Sequence, residues 1–185
     1  AALTLADVDS MIAAREGASR SVMVGYMRRH ASAYTELRAE LSSDEVIRHV
    51  AVRDIIGPND FFINQSAHIT RLQQLPPILA KDRQDRAASA IKESLGDATA
   101  LQARAFRLLT GLSSHDLSAL RGLVGRPVGV MAAKATGDGK FISALLDYGS
   151  FTATFETGID AVGHFDATIE VFTGSRRLCL TYDTP

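Results

Sequence analysis

The sequence predicts an α/β (α+β) chain whose main body is a large open, mainly antiparallel sheet with helices on one face. Three observations carry this. After Pro127 the apolar pattern turns from helical to alternating and yields five strand-like segments. Residues 63 to 124 before it read as mostly helical. At the start, a helix and then a continuous apolar run stand alone, like the last unit of a second α/β sheet.

The elements follow in order. Thr4 caps a helix over Leu5 to Ala14, with Asp7 in near capping-box position and Leu5, Val8 and Ile12 as its apolar stripe. Ser21 to Gly25 has the length and flanks of a buried parallel strand. Ser32 caps a helix from about Ala33 to Leu41, and Val46 to Ile56 is a long strand ended by Gly57-Pro58-Asn59-Asp60. Pro76-Pro77 and Gly96-Asp97 punctuate the helical stretch. Its last helix, about Ser114 to Val124, places Leu117, Leu120 and Val124 on one core face, and Gly125 stops it. The five later strands are Val128 to Ala135, Phe141 to Tyr148, Phe151 to Thr157, Ala167 to Thr173 and Arg177 to Tyr182, joined mostly by glycine turns of hairpin length. One face of this sheet is apolar. The other is semi-polar, solvated or paired with a second copy. A chain that opens on a helix and ends just after a strand reads as part of a longer protein.

Composition narrows the function. With 185 residues, 46% of them apolar, the chain can bury a core, and a net charge of −1 argues against nucleic acid as the main partner. The basic pairs Arg28-Arg29 and Arg176-Arg177 are local. No apolar run is long enough to span a bilayer. The single cysteine, Cys179, excludes an internal disulfide, reads as a small core residue, and leaves a cytoplasmic setting as the default. The five histidines are scattered without metal-ligand spacing, so no metal is expected.

The chemical candidates are few. His115 stands in the first turn of a helix, where the helix field disfavours imidazolium and Asp116 favours it. A neutral ring there can relay a substrate proton; a hydrogen-bonded structural histidine is the competing reading. Ser113-Ser114-His115-Asp116 is no hydrolase triad, because adjacent helical residues diverge. Met27-Arg28-Arg29 follows the early strand, where ligands of open sheets bind, and arginine there can clamp a hydroxylated or anionic ligand. Interdomain salt bridges are an equal alternative. Arg53 and Asp54 close a strand, as a site or as a structural ion pair.

VMVGYMRRHASAY at 22 to 34, IRHVAVRD at 47 to 54 and SSHDLSALRGLVGRPVGV at 113 to 130 resemble the Gfo/Idh/MocA oxidoreductases, NAD(P)-dependent sugar and inositol dehydrogenases. The order of elements agrees from about Thr4 to Tyr182. The resemblance implies residues 1–30 as the remnant of an N-terminal dinucleotide-binding (Rossmann) domain, and 31–185 as a C-terminal substrate-binding and dimerisation domain. It implies NAD or NADP for the full-length protein, with the glycine fingerprint and the catalytic lysine absent from this chain, so the chain alone is expected to be inactive. It places the catalytic histidine on His115 and substrate contacts on Met27, Arg28 and Asp54. It implies a small-molecule substrate, a sugar, inositol or similar polyol, and a homo-oligomer through the sheet face. The family pattern carries carboxylates where this chain has Gly111 and Ser118. Their loss favours a second reading, a non-catalytic relative whose sheet serves dimerisation or partner binding.

Overall fold

The computed structural model describes residues 3–18, 20–41, 44–66, 68 and 76–182. The alternating segments pair as their period requires. Strands β1 (Ile47–Ile56), β2 (Gly129–Thr136), β3 (Phe141–Asp147), β4 (Thr152–Ile159), β5 (Phe165–Thr173) and β6 (Arg177–Tyr182) form one open sheet in the order β2-β3-β4-β1-β5-β6. Neighbours are antiparallel except β1 and β4, which run parallel.

Register turns the two-residue period into two faces. One row crosses the sheet as Lys134, Ser143, Glu156, Arg53, Thr168 and Thr181. These form the polar outer face, where Arg53 bridges Glu156 and Asp166. The adjacent row, Ile142, Thr157, Asp54, Ala167 and Tyr182, faces the helices and is buried throughout. Val50, Val52, Phe155, Ile169, Val171 and Leu180 complete that inner face.

The helices are α1 (Leu5–Glu16), α2 (Ser32–Glu40), α3 (Asn59–Ser66), α4 (Pro77–Leu95), α5 (Ala100–Gly111) and α6 (Ser113–Val124), with a 3-10 turn at Met27–His30. Capping boxes at Thr4/Asp7 and Thr99/Gln102 start α1 and α5. Gly125, at φ 84°, adopts a backbone that L side chains avoid and so ends α6. Helices α2 and α6 cover the inner face. Tyr34 and Leu37 enter the core from α2, each worth about 1.5–3 kcal/mol by burial. The Tyr34 hydroxyl donates to the Ala119 carbonyl at 3.0 Å and ties the two helices together. No helix among the described residues is long and apolar enough to cross a membrane.

Four expectations need correction. Ser21 to Gly25 is not a buried strand: no strand among the described residues pairs with it, and Val22, Met23 and Val24 are 53–74% exposed. The stripe of α1 is likewise uncovered. Cys179 is exposed on the outer face, because Leu178 and Leu180 turn inward on either side of it and odd and even positions face opposite ways. In α6 the buried face is Ser113, Asp116, Ala119 and Leu120, while Leu117 is exposed. A polar pair of side chains thus replaces part of the expected apolar stripe. A smaller shift concerns Ser32, which is the first residue of α2 rather than its cap.

Candidate active site

The site lies where the 3-10 turn, α6 and the inner face of β1 meet. Its base is an ion cluster. Arg28 is 5% exposed, and Asp54 and Asp116 are fully buried. Arg28 Nη1 donates to Asp54 Oδ2 at 2.9 Å and to both oxygens of Asp116 at 2.5 Å; Nη2 donates to Asp54 Oδ1 at 3.2 Å. The guanidinium carbon stands 5.2 Å from the Tyr182 ring centroid and 5.4 Å from that of Phe165, and the Tyr182 hydroxyl donates to the Arg28 carbonyl. Beside it, the hydroxyls of Ser113 and Thr157 share a hydrogen bond of 2.9 Å.

One cation cannot neutralise two buried carboxylates without cost. Burial, followed by the contact with Asp54, pushes the Asp116 carboxyl up to about 9, while Arg28 pulls the other way. Burial thus favours the protonated form of the Asp116 carboxyl, and a proton there offsets the surplus negative charge of the cluster. Arg28 Nε is buried without a partner.

His115 precedes Asp116 by one position on α6 and turns to the other side. Its ring meets Tyr26 edge-on at 5.6 Å between centroids. Burial lowers its pKa below the ordinary imidazole value, the Arg28 charge lowers it further, and Asp54 opposes them. The neutral ring expected from the sequence follows, by another route. The sequence points to two influences, the helix terminus and Asp116. Leu112 joins α5 to α6 in helical conformation, so α6 has no open terminus. Burial favours the protonated form of Asp116, and its charge is not among the influences on the ring. The ring lines a cavity of about 680 Å³ with Tyr26, Gly25, Gly111, Ser114 and Met11 among its walls. His115 Nδ1 is buried and lacks a hydrogen-bond partner.

The structure joins Arg28 to Asp54, but neither lines the cavity of His115. Met27 is 49% exposed and lines neither that cavity nor the groove beside it. Arg53 and Asp54, neighbours in sequence, point to opposite faces and find different partners. Asp116 is the buried charged residue that sequence reasoning undervalued. Its signal was a charged residue at i+3 from Ser113 and four before Leu120, on a face that must pack. Among the described residues no group of three or more His, Cys, Asp or Glu could hold a metal ion.

A nicotinamide dinucleotide needs a glycine turn opening a helix. The one Gly-x-Gly here, Gly137-Asp138-Gly139, is instead the hairpin between β2 and β3. A Cβ on Gly139 would lie 2.7 Å from the Leu101 carbonyl, so this glycine serves packing against α5. These residues do not form a dinucleotide cradle.

No family model and no curated protein sequence matches this chain. Its fold is nevertheless shared with solved dehydrogenases. Myo-inositol 2-dehydrogenase from Lactobacillus plantarum superposes with a TM-score of 0.63 at 14% identity, over 96% of this chain and 47% of its own. A probable dehydrogenase from Thermotoga maritima gives 0.64 at 18%, over 97% and 47%. The WlbA (WbpB) dehydrogenase from Thermus thermophilus, solved in complex with NAD and UDP-GlcNAcA, gives 0.60 at 13%, over 97% and 50%. The chain has the fold of the C-terminal domain of Gfo/Idh/MocA dehydrogenases. It spans about half the length of these structures.

Proposed function

We propose that this chain is the substrate-binding and oligomerising portion of an NAD(P)-dependent oxidoreductase acting on a hydroxyl or carbonyl of a sugar, inositol or similar polyol. Residues 1–30 belong to the nucleotide-binding side and residues 31–185 form the substrate and dimerisation domain. The observation that carries this reading is His115: a half-buried, neutral imidazole, with an unpartnered ring nitrogen, on the wall of a cavity. The shared fold with inositol and sugar dehydrogenases supports it. A bound nicotinamide would supply the hydride chemistry, and the described residues form no cradle for it.

What this chain contributes is the proton side. When a carbinol carbon is oxidised, its hydroxyl must lose a proton, and a neutral imidazole takes it. Arg28 and Asp54 serve the substrate site by fixing the 3-10 turn and α6 to β1, which aims His115. Direct substrate contact by either would require opening their ion pair. Met27, exposed at the turn, remains free to touch a ligand. The outer sheet face pairs with a second copy.

In the complete natural protein, mixed with NAD or NADP and a panel of polyols and sugars, turnover appears at the nicotinamide absorbance band. His115→Ala lowers it by roughly 10²–10⁴-fold. Unchanged turnover removes His115 from the chemistry. Gly111 and Ser118, which line the cavity and its neighbour without charge, favour a second reading as a non-catalytic relative. Cofactor binding without turnover on any substrate selects that one.

A further inference from the structure

A second hollow adjoins the cavity of His115, with Val24, Tyr26, Thr110 and Ser114 common to both. It is an open groove of about 1030 Å³ between the 3-10 turn, α2 and α6. Its charge is one-sided. Arg29, Arg38 and Arg121 line it with His30, together with the hydroxyls of Thr35 and Ser118, and no Asp or Glu lines it. These three arginines come from three separate elements, and among the described residues none has a carboxylate partner. Elsewhere the surface arginines Arg53, Arg176 and Arg177 are each taken up by glutamates.

Guanidiniums that line one groove repel one another unless an anion sits among them. One of the three is also held in place. The Arg29 guanidinium packs on α6 at Gly122, where an added Cβ would lie 3.1 Å from its Nη2 and 3.2 Å from its Nε. A fixed fork gives up less rotamer freedom on binding. A planar carboxylate satisfies one such fork; three approaching from different elements suit a tetrahedral group with three charged oxygens.

We infer that this groove is a phosphoryl-binding subsite, and that the ligand it holds is a phosphorylated or nucleotide-linked sugar. The sugar reaches the cavity of His115 while its phosphoryl group lies among Arg29, Arg38 and Arg121. The phosphoryl subsite stands on the groove alone; naming the ligand as substrate rests on the oxidoreductase reading.

The test is isothermal titration of the full chain with inorganic pyrophosphate at low ionic strength. Binding is expected, weakened about tenfold by Arg38→Gln or Arg121→Gln, both at exposed positions, and unchanged by Arg86→Gln on α4. Raising salt weakens it further. No binding, or equal loss with Arg86→Gln, overturns the subsite. Competition then separates the two sources of phosphate. Glucose 1-phosphate and UDP-glucose are expected to displace pyrophosphate; displacement by NADP⁺ alone reassigns the groove to the cofactor and overturns the substrate claim. Turnover of neutral polyols by the complete protein without pyrophosphate binding would sink the subsite and leave the oxidoreductase reading intact. Pyrophosphate binding with no effect of His115→Ala does the reverse.

Discussion

Replacing Asp116 by asparagine tests the proton at the base of the site. In the folded chain burial and Asp54 hold the Asp116 carboxyl near 9, against an ordinary value of 3.8. Its folded pKa is raised, so the stability it contributes is complete below the unfolded value and is lost as pH climbs toward the folded one. Across that window unfolding releases a proton, and each proton is worth roughly 1 kcal/mol per pH unit. Asparagine imitates the protonated acid: its amide donates to Asp54, and its oxygen accepts from Arg28. Asp116→Asn should therefore match the native chain near pH 5 and gain on it by about 2–4 kcal/mol by pH 8. The assay is urea unfolding of both proteins at pH 5, 6, 7 and 8, plotted as the difference in free energy. The pull of Arg28 reduces the slope without reversing it, and His115 largely cancels in the difference. A flat difference curve would mean that both carboxylates are ionised, and the neutral cluster would have to be abandoned.

Three further outcomes are expected. Gly57→Ala places a Cβ 2.1 Å from the Val162 carbonyl oxygen, a backbone clash that should cost about 2–4 kcal/mol in urea unfolding; a native midpoint would show that the loop after β4 yields freely. Thr99→Ala removes the hydrogen bond that the Gln102 N–H donates to Thr99 Oγ1, leaving the one from the Thr99 N–H to Gln102, and should lower stability by about 1 kcal/mol, visible as an earlier thermal midpoint. Cys179 should react with a thiol reagent without unfolding, and more slowly as protein concentration rises if the outer face pairs with a second copy; reaction only after denaturation contradicts its exposure.

The sheet was legible because each strand announces itself locally. Period-two alternation, punctuated by Gly149-Ser150 and Gly174-Ser175, is a property of neighbouring residues, and β3 to β6 fall within a few residues of expectation. Strand order was not legible. Pairing of β1 between β4 and β5 is a long-range fact with no short-range trace. Ser21 to Gly25 shows the converse failure: apolar content suggests a buried strand, but a strand needs a partner to accept its backbone bonds. In the site, His115 stood out by chemistry and position. Asp116 and the partnership of Arg28 with it did not, because residues 28, 54 and 116 meet only after the chain has folded. The basic groove was hidden for the same reason. A scan for local charge sees the pair Arg28-Arg29, yet the fold sends the first inward to two aspartates and gathers the second with Arg38 and Arg121.

The placement of β1 sets the order of assembly. Its residue His49 lies against Thr152 and Thr154, 103 and 105 positions further on. During synthesis this strand emerges with both margins bare and stays so while, among the described residues, four helices and two strands follow it. Contacts at such separation close slowly. The helices between must then hold an unfinished layer of backbone away from its twins in neighbouring nascent chains. Protein made at high concentration should be most vulnerable to clumping before β4 and β5 arrive, and slower translation there should lower the yield of soluble material.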